Sequence, residues 1–128
     1  MKMIPWNEMS EAAWKVRENS FIFGNTKVGA ATFSENSSIH TGCNIQQVYR
    51  SHDIHAEVNA ISNMIACGDR KLIAILIVAK REFFTPCGSC MDWIMQFGGD
   101  QCVIGFQNNR DGEISTFTAK ELMPHYPR

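Results

Sequence analysis

Leu72-Ile73-Ala74-Ile75-Leu76-Ile77-Val78-Ala79 is eight apolar residues without a break. A strand with one wet face alternates apolar and polar side chains, whereas a strand covered on both faces reads as a continuous apolar run. The stretch therefore predicts a buried strand over 72–79 with helices above and below it. Its flanks supply those helices. Upstream, Val58, Ile61 and Ile65 recur at helical spacing, Ala60, Met64 and Cys67 widen the stripe, and Gly68 supplies the stop. Downstream, residues 80–85 form a loop, and Pro86 suits the first turn of a helix because its missing N–H would be unpaired there anyway. Trp93, Ile94 and Phe97 pack that helix, and Gly98-Gly99 ends it.

Further out, residues 28–34 and 39–45 read as a strand pair joined by the polar turn Glu35-Asn36-Ser37-Ser38. Ahead of them, Asn7 is a candidate cap for a helix over 8–19, with Met9, Ala13 and Val16 on one face. Beyond Gly99, strands are expected over 102–106 and 114–117. The link Asn108-Asn109-Arg110-Asp111-Gly112 ends in Asp-Gly, a tight-turn signal, and is too short for the crossover that a parallel pair needs. A last short helix is expected over 119–123. The expected architecture is an α/β, three-layer α/β/α sandwich with a mixed five-stranded sheet, in a single domain over 1–128.

Two short segments carry the chemistry: His55-Ala56-Glu57 and Pro86-Cys87-Gly88-Ser89-Cys90. His55, Cys87 and Cys90 offer one imidazole and two thiolates, the donors zinc prefers in a tetrahedron. Three protein ligands leave a fourth corner open, which marks a catalytic rather than a structural site. Zinc in such a site lowers the pKa of its water from about 15.7 to about 7. Glu57 is then a carboxylate placed to move protons, not to bind metal. A structural knuckle would need a second Cys-x-x-Cys, which is absent, and a redox pair would not explain His-Ala-Glu. His52 is the rival ligand but lacks a glutamate two residues on; His40 and His125 read as ordinary strand and tail histidines. Both segments open helices, whose positive ends favour thiolates.

His-x-Glu followed by Pro-Cys-x-x-Cys is the signature of zinc nucleobase deaminases. The chain resembles the cytidine deaminase family over most of its length, through Val28-Gly-Ala-Ala31, Gly42-Cys-Asn-Ile45, His55-Ala-Glu57, Thr85-Pro-Cys-Gly-Ser-Cys90 and Leu122-Met-Pro124. The resemblance implies the same sandwich fold. It also implies zinc-dependent hydrolysis of a cytosine nucleoside, cytidine, deoxycytidine or an analogue, to the uracil nucleoside and ammonia, with Glu57 as proton shuttle. It further implies substrate contacts at Asn44, Gln46, Ala56, Thr85 and Pro86, a role in pyrimidine salvage, and a homotetramer with sites at subunit boundaries. Family members with three cysteine ligands often carry an arginine after the glutamate; Val58 stands here, consistent with a neutral His/Cys/Cys site. Where the family has Glu-Asn-Ala followed by a tyrosine, this chain has Gln46-Gln47-Val48 and then Arg50, and Thr26 replaces an aromatic. Those departures keep modified substrates open: N4-substituted cytidines, or antibiotics of the blasticidin S type. A tRNA adenosine deaminase would have glutamate at Thr85 and a parallel fifth strand. A non-catalytic zinc-binding scaffold would have no use for Glu57.

Composition bounds the partners. The chain has 128 residues, 45% of them hydrophobic, and a net charge of −1. Without a Lys/Arg run there is no basic face for a nucleic acid polymer, so a small molecule is expected. No apolar run reaches the ~20 residues of a membrane span. Met1-Lys2-Met3-Ile4-Pro5-Trp6 lacks a secretory apolar region, and thiolate ligands with spare thiols suit a reducing cytoplasm. Of the five cysteines, Cys43, Cys67 and Cys102 are expected to be small buried apolar residues.

Overall fold

The computed structural model describes residues 3–127; Met1, Lys2 and Arg128 lie outside the described residues. β3 (Leu72–Ala79) occupies the predicted range and lies third in the sheet order β2-β1-β3-β4-β5. β1 (Val28–Ser34) runs antiparallel to β3, with Ala31 opposite Leu76, and β2 (Ile39–Cys43) is antiparallel to β1. α3 (Gly88–Gly98) makes the crossover that lets β4 (Val103–Gln107) lie parallel to β3. β5 (Ser115–Thr118) pairs antiparallel with β4, as the short Asp111-Gly112 link demands.

Alternation along β3 splits the core in two. Ala74, Leu76 and Val78 face α1 (Trp6–Arg17), where they meet Met9, Ala13 and Trp14. Ile75 and Ile77 face α2 (Ala56–Ala66) and α3, with Ile61, Met64, Ile94 and Met95. The short α4 (Ala119–Leu122) completes this side and carries a capping box between Thr118 and Glu121. The mixed five-stranded sheet between two helical layers is thus the expected fold.

Several boundaries differ from expectation, each for a local reason. α1 starts at Trp6 after Pro5, with no side-chain cap, so Asn7 is an exposed first-turn residue and not the cap. The Trp6 ring lies against Gly105, where an added Cβ would come within 2.7 Å of it; packing, not capping, sets this helix end. β2 stops at Cys43, because Ile45 instead bridges Phe21 and Ile54. α3 begins at Gly88 with Cys87 as its cap, which puts Pro86 ahead of the helix rather than in its first turn. Cys67 caps the end of α2 and is exposed, while Cys43 and Cys102 are buried as expected. β4 and β5 each sit one residue later than read. No helix among the described residues is long and apolar enough to cross a membrane.

Two groups of contacts, one at Gly42 and one at Asp69, hold α2 and the β1–β2 hairpin in place. At Gly42 a Cβ would overlap the Ala60 backbone nitrogen and come within 2.7 Å of the Asn59 carbonyl carbon, so α2 lies directly on β2. Asn59 Oδ1 accepts from the Cys43 N–H at 2.9 Å, and Asn63 Nδ2 donates to the Thr41 carbonyl at 2.7 Å. Past the end of α2, the mostly buried Asp69 accepts from Ser34 Oγ at 2.8 Å and Asn36 Nδ2 at 2.6 Å, and pairs with His40 Nε2 at 3.0 Å.

Gly42→Ala should therefore lower stability by about 2 kcal/mol, the usual scale of overpacking, and should disturb the α2 N-terminus; denaturant unfolding and zinc content would show both. The hydrogen bonds from Asn36, His40 and Ser34 hold the Asp69 carboxyl at about 2, below its ordinary 3.8. A depressed carboxyl stabilises the fold above its unfolded pKa and loses that contribution as pH falls through its folded value. Unfolding free energy should thus decline as pH drops from about 4 to about 2, and Asp69→Asn should flatten that decline. An unchanged slope in the variant would show that other carboxylates govern acid unfolding.

Candidate active site

α2 and α3 begin at the same edge of the sheet, and their caps are the metal-ligand candidates. His55 is the N-cap of α2 (φ −77°, ψ 154°) and Cys87 the N-cap of α3 (φ −69°, ψ 170°), both extended. Neither uses its side chain to cap its helix, so the imidazole and the thiol are available to a metal. Cys90 comes one turn into α3 and is fully buried. His55 Nδ1 lies 3.3 Å from Cys90 Sγ and 3.4 Å from Cys87 Sγ, and the three donor atoms all lie within 4.8 Å of one another. Tetrahedral zinc with Zn–S near 2.3 Å and Zn–N near 2.0 Å wants donors roughly 3.5–3.8 Å apart, and this set fits it. His52 sits on an exposed 3-10 turn (Arg50–His52) outside the cluster.

Glu57 is buried, 5% exposed, in the first turn of α2. Burial pushes its carboxyl pKa up, while its own backbone N–H, the His55 ring and a hydrogen bond with Cys90 draw it back. Burial also pushes the Cys90 thiol well up, reinforced by the negative charge of Glu57 and by Cys87. A divalent cation reverses that preference, since coordination deprotonates a thiol outright. The spare thiols lack such a partner: burial raises Cys102 to about 12.

The cluster opens onto a cavity of about 270 Å³, close to the low end of small-molecule sites, roughly 300–1,000 Å³. Of the sequence-predicted contacts, Asn44, Gln46, Ala56, Glu57 and Thr85 line it beside His55 and Cys87. Pro86 does not: it is buried, and directly precedes Cys87, the extended cap of α3. Asn44 holds the adjoining loop, accepting from the Val28 N–H at 2.9 Å and donating to the Thr26 carbonyl at 3.0 Å. Gln46 Oε1 accepts from the Phe23 and Gly24 N–H groups at 2.7 and 3.0 Å. Sequence reading missed Asp53, Ile54, Arg81 and Phe84, which also line the cavity, and noted Arg50 only as a departure. They lie on irregular segments without periodicity; the one signal was the aromatic pair Phe83-Phe84 in a polar loop.

The family model for the cytidine and deoxycytidylate deaminase zinc-binding region matches residues 5–106. The chain belongs to this family. A cytidine deaminase of Sporosarcina psychrophila is 31% identical over 112 residues, covering 86% of this chain and 82% of that one. A cytidine deaminase of Mycobacterium tuberculosis is 24% identical, covering 81% and 80%. Among solved structures, the cytidine deaminase of Burkholderia pseudomallei superposes with a TM-score of 0.87 at 27% identity, over 96% of this chain and 98% of that one. That of Mycobacterium leprae gives 0.83 at 27%, over 96% and 100%. Members of this family are zinc-dependent hydrolases, and His55, Cys87 and Cys90 are placed to hold the metal.

Thiolate–zinc binding is linked to folding. The intact chain should carry about one zinc, and a Cys87→Ala/Cys90→Ala double variant should carry almost none and melt at a lower temperature. Full zinc in the double variant, by elemental analysis, would contradict the ligand set.

Proposed function

We propose that residues 1–128 act as one cytidine deaminase-like domain that hydrolytically deaminates a cytosine nucleoside, cytidine or deoxycytidine, to the uracil nucleoside plus ammonia. The observation that carries this reading is a buried carboxylate, Glu57, beside a three-donor metal cluster at the floor of a nucleoside-sized cavity. Zinc, when bound, supplies Lewis acidity that activates water. Glu57 takes a proton from the attacking water and gives it to N3 of the base; a second proton reaches the leaving amino group by the same carboxylate. Carbon C4 gains the oxygen and the C4–N4 bond breaks, so ammonia leaves. Glu57 sits in the first turn of α2 with its carboxylate hydrogen-bonded to Cys90, beside the metal donors, which supports the use of one carboxylate for both transfers.

Asn44 and Gln46 mark the sugar end. Each already braces the chain, yet each keeps hydrogen-bonding capacity, since an amide has two donors and an oxygen with two lone pairs. Ala56 and Thr85 bound the base. Pro86 acts through the placement of Cys87. Deamination of modified cytosine nucleosides, N4-substituted or of the blasticidin S type, is the second reading, favoured by Arg50, which departs from the family pattern, and Arg81 on the wall. A non-catalytic zinc scaffold would leave the burial of Glu57 beside the cluster without a purpose.

We also infer a homotetramer acting in the cytoplasm in pyrimidine salvage. Phe21, Phe23, Val48, Tyr49 and Ile54 are exposed apolar residues on the segments around the cavity mouth, the kind of surface that subunits cover. Light scattering reporting a monomer at micromolar concentration would contradict this assembly.

Glu57→Gln should keep zinc and fold while losing kcat by about 10²–10⁴, the range of general acid–base catalysis. Equal ammonia release by the variant would sink the proton-shuttle role. Gln46→Glu should lower KM for cytidine more than for analogues altered at the sugar, and unchanged kcat/KM in both Gln46→Glu and Asn44→Ala would remove these residues from the substrate contacts.

A further inference from the structure

The wall of the cavity holds two guanidinium groups that the deamination chemistry does not use. Arg50 lies on the 3-10 turn and Arg81 on the loop after β3, and both line the cavity that reaches His55 and Glu57. Arg50 donates through Nε to Asp53 Oδ2 at 2.8 Å, and Asp53 also accepts from the Gln47 N–H at 2.6 Å. That carboxylate therefore balances Arg50 and positions it, while its terminal amino groups have no acceptor among the described residues. Arg81 has no carboxylate or carbonyl partner for its side chain among the described residues. Its guanidinium lies over the Phe84 ring at 5.3 Å, and Phe84 is itself held edge-on against Phe106 at 4.6 Å. Stacking on an aromatic face fixes the plane of a guanidinium and leaves its N–H fork free for a bidentate acceptor.

The charged or titratable side chains facing the cavity are Arg50, Asp53, His55, Glu57 and Arg81. Asp53 is committed to Arg50, and Glu57 is buried at the metal end. Arg81 is thus the cation on this wall with no anion of the protein to meet. A neutral ribose offers it only hydroxyls, whereas phosphates and carboxylates match the guanidinium fork with two parallel hydrogen bonds. The net charge of −1, the absence of a Lys/Arg run in the sequence and the position in a cavity beside the metal donors favour an anion on a small molecule over a polymer.

We propose that the preferred substrate is a cytosine nucleoside bearing an anionic group, phosphate or carboxylate, on its sugar, and that Arg81, assisted by Arg50, recognises it. This rests on the cytosine-deaminase reading given above and names its substrate class. The anion is not consumed; it remains on the uracil product.

The test uses the zinc-loaded full chain. Ammonia release is compared for cytidine, deoxycytidine, their 5′-monophosphates and cytidine 5′-uronic acid. Isothermal titration calorimetry compares the products uridine, uridine 5′-monophosphate and the uracil 5′-uronic acid, which reads binding apart from turnover. The anionic members should exceed the neutral ones in kcat/KM and in affinity by roughly tenfold to a hundredfold, the scale of hydrogen bonds to charged groups, and the advantage should shrink as salt rises. Phosphate against uronate preference tells which anion the site takes. Arg81→Gln should collapse the anionic-to-neutral ratio in both assays, and Arg81→Lys should restore part of it as a point charge. Zinc content and melting temperature of the variants show that the fold is intact. Equal or better use of neutral nucleosides, or an anion preference untouched by Arg81→Gln, overturns the proposal while the deaminase reading stands. No ammonia from any cytosine compound overturns the deaminase reading itself.

Discussion

The close seating of α2 on β2 is the constraint on which the site depends. Gly42 has no side chain to hold the helix away, so the backbone at Asn59 and Ala60 comes directly onto the strand. Asn59 and Asn63 then fix the helix along the strand by hydrogen bonds to Cys43 and Thr41. With the helix body placed, its N-terminal end is placed too, and that end carries His55 and Glu57. A few tenths of an ångström at Gly42 would pass through a rigid helix to a site where donor atoms must fall within about 0.5 Å of their geometry.

The second half of the site is positioned independently. β3 fixes the start of the loop that reaches Cys87, and α3 must span back along the sheet so that β4 can lie parallel to β3. Both helices therefore start at one edge. Their first N–H groups, unpaired within the helices, give that edge a positive potential. His55 and Cys87 sit at cap positions and forgo the side-chain cap that such positions usually supply. That local cost, with the burial of Cys90 and Glu57, is the kind of conflict functional sites keep and ordinary helix ends avoid.

Features with a strong period or a fixed chemical identity could be read from the sequence. The unbroken run of β3 gave both its range and the two-sided core, and the Asp111-Gly112 link gave the antiparallel fifth strand. Three donors and one carboxylate were identifiable because zinc chemistry admits few residue types at such spacing. Helix starts were less readable. Asn7 has the right chemistry for a cap, yet the packing of Trp6 on Gly105 carried the helix past it. Pro86 has the right shape for a first turn, yet Cys87 had to be extended to bring its sulfur to His55. Cys67 follows the apolar stripe of α2 in sequence but falls where the helix ends and the surface begins.

Arg50, Asp53, Arg81 and Phe84 belong to segments whose shape is set by long-range contacts. Ile45 bridges to Ile54 and so folds the intervening residues into a loop over the cavity, bringing Arg50 to its wall. Phe106, on β4, holds Phe84 and through it Arg81. No local pattern encodes either arrangement, because each needs a partner far away in the chain. The division is physical: the metal-donor cluster is built on the starts of two helices, whose positions the sheet fixes. The wall is built on loops braced by single aromatic or polar contacts, on segments separate from the metal donors. On the substrate proposal made above, a change at Arg50 or Arg81 alters which cytosine nucleoside is preferred while His55, Glu57, Cys87 and Cys90 keep their places at the two helix starts.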